Sequence, residues 1–368
     1  MAYTTIDDPS AYFQAFTYTG NASNPRNLTN DGNSDLKPDW IWGKNRTDAG
    51  SNHASQISNL SMDAPTNSTQ VSPDNSSNAN SPATTYGYCS AFLTDGFTAA
   101  AGGTNGDVYN ASNKEYVAWQ WKCNGGSVAN NTDGNTTTSV QVNSTAGFSM
   151  GTYGGNSSNG NSIGHGLGAI PDFFMIKGYS GAGTKYWTVG CPNIASMANG
   201  ASKTLNLDTN GAVVNNTAIW GNVSLTSTKV TINSGQQVNH VNSNYMFFAF
   251  KNIQGYSKVG EYKGNGSADG TFVYTGFKPA WVMVKRTDSA NNWIITDNER
   301  GMNGANPRLY ADLPDAEGSA ADYIDHLSNG FKIRTSAGSM NASGGTYMYM
   351  AFAENPFVTS TGTPTTAR

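Results

Sequence analysis

Apolar and polar residues alternate along this chain in short runs that end at glycine, asparagine or proline. Residues 147–153 alternate in this way and then stop at glycines, and residues 271–275 and 229–232 show the same two-residue period. Runs of this kind predict half-buried β-strands. Residues 315–327 instead carry spaced alanines and predict one short helix.

Three other runs are apolar at consecutive positions and therefore predict strands that are covered on both faces. Each begins at or just after a proline and ends in a lysine, and they occupy residues 38–44, 171–177 and 279–285. A proline at the start of a strand leaves no gap in the hydrogen-bond ladder. We expect Trp40, Phe173 and Trp281 to fill equivalent buried positions.

These apolar runs belong to a longer pattern that occurs three times in the same order. Each copy opens with Tyr-x-Gly-Asn-x-Ser, at Tyr18, Tyr153 and Tyr262, which are 135 and 109 residues apart. Each copy closes on an aromatic strand, at residues 116–121, 245–250 and 347–352. Spacings of this length are typical of whole domains, not of solenoid repeats. The pattern predicts three tandem domains, at residues 1–125, 126–252 and 253–368.

The predicted fold is all-β, with three tandem β-sandwich domains of jelly-roll type. Glycine, asparagine, serine and threonine are abundant and helix-forming residues are scarce, which favours short strands and tight turns. Residues 51–81 predict a surface loop, and residues 124–138 predict a flexible linker. No heptad pattern occurs, so we expect globular beads in a short rod. Residues 1–14 predict an attachment arm or the start of the first strand.

Composition excludes several classes of protein. Only 12% of residues are charged, the net charge is −4, and no basic stripe is present, so a nucleic-acid partner is not expected. No apolar run approaches the length of about 18 residues that a membrane span needs. The first residues do not form a secretory signal. A polar, weakly charged chain of this kind suits a virion protein made in a host cytoplasm and released by lysis.

The motifs also resemble those of a known group of proteins. The Tyr-x-Gly-Asn-x-Ser copies, the turns before Pro171 and Pro279, and the segment at 341–357 are similar to virion appendage or tail-fibre-type proteins of marine tailed phages, including cyanophage-like ones. The resemblance extends over essentially the whole chain. It implies tandem concanavalin-like or SPRY-like domains and a structural role on the particle. It carries no catalytic residues.

Candidate catalytic residues are few. A retaining glycosidase of this fold needs paired carboxylates on one strand, and no such strand occurs. The densest acidic segment holds Asp312, Asp315, Glu317, Asp322 and Asp325, and we interpret it as solvated surface. A second group follows Trp293 and consists of Asp297, Glu299 and Arg300, interpreted as a charged turn. We therefore expect a protein that is not an enzyme.

Metal and cofactor sites are also not predicted. The histidines, at positions 53, 165, 240 and 326, lack zinc-ligand spacing, and His165 reads as a surface or edge residue. The cysteines, at positions 89, 123 and 191, are interpreted as free buried thiols, although Cys89 and Cys123 could pair. Residues 30–35 are rich in Asp and Asn and could hold Ca²⁺, but turn geometry selects the same residues.

The expected function is a structural role on the outside of a tailed-phage virion, as a fibre, knob or capsid decoration. Its partners would be other virion proteins and further copies of this chain, with weak host-surface glycan contact as a second role. Trp187, Trp220 and Trp293 lie outside the repeated strands and could line a glycan groove, although core packing is the simpler interpretation. The alternatives are a lectin-like receptor-binding adhesin and a glycan depolymerase.

Overall fold

A computed structural model describes residues 2–50, 53–57, 70–76, 86–102, 108–197, 202–220, 225–301, 303, 307–318 and 324–365. The first repeat contains a 3₁₀ turn at Pro9–Ala11 and strands β1 (Phe13–Thr19), β2 (Arg26–Leu28), β3 (Trp40–Asn45), β4 (Ala54–Ile57), β5 (Tyr88–Phe92), β6 (Phe97–Ala100) and β7 (Glu115–Trp121).

The described residues of the second repeat form ten strands and two one-turn helices. They are β8 (Ala129–Asn131), β9 (Thr138–Asn143), β10 (Phe148–Gly154), β11 (Asn161–Gly164), β12 (Phe173–Ser180), β13 (Trp187–Gly190), β14 (Lys203–Asn206), β15 (Val214–Asn215), α1 (Thr217–Trp220), β16 (Lys229–Ile232), α2 (Gln236–Asn239) and β17 (Asn244–Phe250).

The third repeat has eight strands among the described residues. They are β18 (Ser257–Lys263), β19 (Phe272–Tyr274), β20 (Phe277–Arg286), β21 (Ile294–Asp297), β22 (Leu309–Tyr310), β23 (Ile324–Leu327), β24 (Gly330–Ile333) and β25 (Thr346–Pro356). None of the helices in the described part of the chain is long and apolar enough to cross a membrane.

Each repeat builds one large antiparallel sheet with the same strand order. The orders are β1-β7-β3-β4, β10-β17-β12-β13 within a longer sheet, and β18-β25-β20-β21. The closing strand therefore always lies between the opening strand and the strand after the proline. The registers agree as well, because Trp40 pairs with Trp121, Phe173 with Phe250, and Trp281 with Phe352. The predicted equivalence of Trp40, Phe173 and Trp281 is confirmed, and all three are buried.

A small sheet covers the outer face of each large sheet. These small sheets are β2-β6-β5, β11-β16 and β19-β24-β23. Between each pair of layers lies a separate apolar cluster, centred on Phe97 in the first repeat, Phe247 in the second and Phe331 in the third. The all-β sandwich character that the sequence predicts is therefore confirmed.

The inner faces of the three large sheets meet in one shared core. This central core takes aromatic and sulfur-containing side chains from every repeat, including Trp121, Phe250, Trp281 and Phe352. The Phe352 ring lies 5.6 Å from the Trp121 ring and 5.7 Å from the Phe250 ring, centroid to centroid. The expectation of separate beads in a rod is wrong, because the second face of each central strand packs on the other two repeats.

Two polar segments are more ordered than their composition suggests. The predicted surface loop at 51–81 includes β4 and the bridge between Ser55 and Val71, and residues 51–52, 58–69 and 77–81 lie outside the described residues. The predicted linker at 124–138 includes β8, which pairs with β9 at the edge of the second sheet. Backbone pairing, which composition does not reveal, holds both segments in place.

The predicted helix at 315–327 is wrong over its described part. Gly318 bridges Arg308, and residues 324–327 form β23, which pairs with β24. Residues 319–323 lie outside the described residues. The first residues are not a free arm, since Ile6 is buried in the central core and Thr4 Oγ1 donates to the Gln254 carbonyl at 2.7 Å.

Candidate functional site

The repeated tyrosines form the same structural clamp in each repeat. In the second repeat, Tyr153 Oη donates to the Val238 carbonyl at 2.7 Å, and Tyr245 Oη accepts from the His240 amide at 2.7 Å. The two rings stack with centroids 5.2 Å apart. The equivalent stacked pairs are Tyr18 with Tyr116 at 5.1 Å and Tyr262 with Tyr347 at 5.0 Å.

An asparagine outside the repeated motif bonds the backbone of the motif and completes this clamp. Asn239 Oδ1 accepts from the Asn156 amide at 2.9 Å, and Asn239 Nδ2 donates to the Ser158 carbonyl at 2.9 Å. Asn110 and Asn341 make the equivalent contacts in the other repeats. Steric crowding explains the glycine of the motif, because a Cβ on Gly155 would lie 2.2 Å from the His240 carbonyl oxygen. The strongest motif in the sequence is therefore a folding element, not a binding site.

The lysine that ends each apolar run closes the three repeats into a ring. These lysines are buried, and each donates to a carbonyl of another repeat: Lys44 to Pro314 at 3.3 Å, Lys177 to Asn75 at 3.0 Å, and Lys285 to Asn210 at 3.0 Å. Hydrogen-bond donation follows a cyclic order: the first repeat donates to the third, the second to the first, and the third to the second.

Next to each lysine, a ring nitrogen of a Trp or His side chain also contacts a carbonyl of another repeat, in the same cyclic order. Trp187 Nε1 donates to the Ser72 carbonyl at 2.9 Å, and Trp293 Nε1 donates to the Asn206 carbonyl at 3.0 Å. The equivalent residue in the first repeat is His53, whose Nε2 lies 2.8 Å from the Tyr310 carbonyl. These contacts and the buried position of both indoles exclude Trp187 and Trp293 from a glycan groove, and Trp220 is buried as well.

Three buried carboxylates accompany this ring, one from each repeat. Burial raises the pKa of Asp74 to about 7 and of Asp208 and Asp312 to about 6. Burial also lowers the pKa of Lys177 and Lys285 to about 8. The interpretation of Asp312 as solvated surface is therefore wrong, because its carboxylate is buried and accepts from the Trp293 amide at 2.9 Å.

The other carboxylates of the acidic segment serve different purposes. Glu317 joins Arg46 of the first repeat at 2.7 Å and Arg300 at 2.9 Å. Asp325 pairs with Arg334 at 2.5 Å, Asp315 is exposed, and Asp322 lies outside the described residues. Through Glu317 this segment therefore ties the first and third repeats together.

The charged turn after Trp293 is also structural in part. Asp297 and Arg300 are fully buried and form an ion pair at 2.6 Å. Trp119 Nε1 of the first repeat donates to Asp297 Oδ2 at 2.9 Å, so this pair is a further contact between repeats. Glu299, between the two, is exposed and faces a cleft described below.

The remaining candidates are mostly buried and partnered. His165 is buried, so its interpretation as a surface residue is wrong; its Nε2 contacts the Thr226 carbonyl at 3.1 Å. His326 is buried with its Nδ1 2.9 Å from the Pro279 carbonyl. Burial lowers the pKa of both histidines. The three cysteines are free and buried, as predicted.

One position breaks the symmetry of the repeats. The residue after the strand-opening proline is Asp39 in the first repeat and Asp172 in the second, but Ala280 in the third. Asp39 Oδ2 accepts from the Cys123 amide at 2.7 Å, and Asp172 Oδ2 accepts from the Asn252 amide at 2.7 Å. Ala280 has no carboxylate to make this contact, and a cleft lies there.

The cleft has a volume of about 240 Å³ and lies between the first and third repeats. Its floor is apolar, formed by Phe13 and the alanines at positions 15, 280 and 353. Its walls are polar, with Gln14, Asp31, Gly32 and Asn33 on one side and Asn298, Glu299, Glu354 and Asn355 on the other.

Both walls are held by hydrogen bonds. Gln14 Oε1 accepts from the Gly32 amide at 3.0 Å, which fixes the loop that carries Asp31. On the opposite wall, Asn298 Nδ2 donates to Glu354 Oε2 at 3.2 Å, and Lys278 pairs with Glu354 Oε1 at 2.8 Å. Asn298 Oδ1 is buried and has no hydrogen-bond partner.

The cleft is electrostatically negative. Although Glu299 is exposed, partial desolvation of its carboxylate raises its pKa to about 7, and the nearby carboxylates Asp31, Asp297 and Glu354 contribute in the same direction. Oxygen acceptors outnumber donors around it, so it is suited to a ligand that donates hydrogen bonds. In the described ranges, no three His, Cys, Asp or Glu side chains are grouped to hold a metal ion.

The geometry defines an all-β protein in which three equivalent sheets close around one core and one interface opens as a polar cleft. Residues 8–356 match the model of a family described as a domain of unknown function, DUF7483, and the chain belongs to that family. No curated protein and no solved structure matches the chain.

Proposed function

We propose that this protein is a non-enzymatic structural component of a tailed-phage virion, displayed externally as a fibre, knob or capsid decoration. Its partners would be other virion proteins and further copies of itself. The proposal rests on the whole-chain resemblance to phage appendage proteins and on the closed architecture, which suits a protein that must keep its shape on a particle.

The shared core is the observation that carries the mechanical part of this proposal. Side chains from all three repeats are buried together, and each interface between repeats adds a lysine and a ring nitrogen bonded to a neighbouring carbonyl. Opening one repeat would expose this aromatic surface to water, which costs about 25 cal/mol for each Å² of apolar area. Rigid display is the function that this arrangement supports best.

Contact with a host-surface glycan is the second part of the proposal and corresponds to the lectin-like alternative. The cleft favours it, because carboxylate and amide side chains surround an apolar floor at one interface. The depolymerase alternative has less support, since Asp312 is buried and Glu317 is held in ion pairs with two arginines.

Purified particles of the encoding phage provide the test of virion location. Mass spectrometry of washed particles should detect the protein at a fixed copy number, and antibody labelling should place it at one structure in electron micrographs. Mass measurement of the purified protein should show an oligomer. Presence of the protein in the lysate but not on washed particles would refute the structural role.

A further inference from the structure

The cleft is the strongest departure from the three-fold pattern among the described residues. At the first and second repeats, Asp39 and Asp172 bond the backbone of the following segment. The third repeat replaces this residue with Ala280, and the chain then places Glu299 and Glu354 around the opened space. The third repeat therefore combines an open space at Ala280 with carboxylates that line it, and this combination is the geometry of a ligand site.

The lining defines which ligand chemistry fits. Asp31, Glu299 and Glu354 supply carboxylates, and one cation, Lys278, pairs with Glu354. A positively charged donor suits this excess of carboxylates, since charge-assisted hydrogen bonds are the strongest that such a site can make.

The volume and the floor restrict the size of the ligand. About 240 Å³ lies below the usual range of about 300–1,000 Å³ for drug-sized ligands, so one sugar-sized group fits. Phe13 and the three alanines give an apolar floor for the ring carbons, while the walls face the hydroxyl groups.

We propose that this cleft binds one protonated amino sugar, with the ammonium group between Glu299 and Glu354. The proposal rests on the glycan-contact part of the function proposed above and names its ligand class. The apolar floor contacts the sugar ring, and the ammonium group contacts the acidic walls.

The test is a titration of the full chain with glucosamine, followed by heteronuclear NMR or calorimetry. Glucosamine should bind, and N-acetylglucosamine and glucose, which lack the ammonium group, should bind at least about tenfold more weakly. Affinity should rise between pH 6 and 7.5 as Glu299 ionises. Glu299→Gln should lower affinity about tenfold and remove this pH dependence, and Glu115→Gln, which changes an exposed glutamate elsewhere, should change neither.

Each contrary result has a defined meaning. Equal binding of glucose would overturn the charge argument, and equal binding of lysine amide would overturn the saccharide assignment. No binding of glucosamine would overturn the inference about the cleft. The particle analysis tests the virion role separately. If the protein is found on particles but does not bind glucosamine, only the inference about the cleft is refuted.

Discussion

Replacing Trp281 by alanine distinguishes a shared core from three independent units. Trp281 is 1% exposed, and its ring lies 6.5, 6.2 and 6.0 Å from the rings of Phe13, Trp119 and Trp121, all in the first repeat. A buried Trp→Ala change costs about 3–5 kcal/mol. Much of this loss would fall on contacts between repeats.

The two architectures predict different calorimetric results. Unfolding entropy is about 2.1 cal/mol/K per residue, so a cost of about 4 kcal/mol spread over one unit of 368 residues lowers Tm by about 5 °C. If the third repeat unfolded alone, as about 116 residues, the same cost would lower its Tm by about 16 °C and leave the rest unchanged. We expect the first result, as one transition in a calorimetric scan.

Two controls belong to this experiment. Trp281→Phe should shift Tm by less than about 2 °C, because Phe173 fills the equivalent position and the Trp281 indole nitrogen is buried without a partner. Phe272→Ala should have little effect, because Phe272 is exposed. Two separated transitions in Trp281→Ala would refute the shared core.

Three further predictions follow from the clamps and the ring. Gly155→Ala should destabilise by about 1–3 kcal/mol in guanidinium, because its Cβ would lie 2.2 Å from a carbonyl oxygen, whereas Gly154→Ala has its nearest contact at 3.9 Å and should cost under about 1 kcal/mol. Lys177→Met should destabilise by about 1–3 kcal/mol by leaving the Asn75 carbonyl without this donor, seen as a lower denaturation midpoint. The pKa of Asp208 is raised in the folded protein to about 6, so the stability that its protonated form contributes is lost as the pH rises from about 4 to 6. The Asp208→Asn variant cannot lose this stability. In urea titrations it should therefore gain stability relative to the parent over that pH range.

The sequence predicts the strands and their equivalence well because both depend on local patterns. The proline, the apolar run and the terminal lysine mark one strand in each repeat, and Trp40, Phe173 and Trp281 occupy the same position of that strand in the structure. The same runs also contained the signal for the shared core. They are apolar on both faces. A two-layer sandwich covers only one face of such a strand, so a further layer must cover the other face.

The cleft was not predictable by the same reasoning. Asp39, Asp172 and Ala280 stand at one position of the repeat, and the difference is visible in the sequence. Its meaning depends on which loop faces that position from another repeat, and Asp31 lies 249 residues away from Ala280 along the chain. Local pattern also misassigned Asp312, because a buried carboxylate that accepts from a backbone amide has the same sequence appearance as a solvated one.

Three repeats on one chain can differ at a single interface, which the identical subunits of a homotrimer cannot do. In a symmetric trimer, every substitution appears at all three interfaces, so an opened cleft would weaken the ring three times. Here the first and second repeats keep Asp39 and Asp172, and the interface between the first and third repeats has the hydrogen bond from Trp119 to Asp297 and the ion pair of Arg46 with Glu317. Because these contacts join the two repeats whose residues line the cleft, the space beside Ala280 can open without separating the repeats, and this is the reason to look for the ligand there.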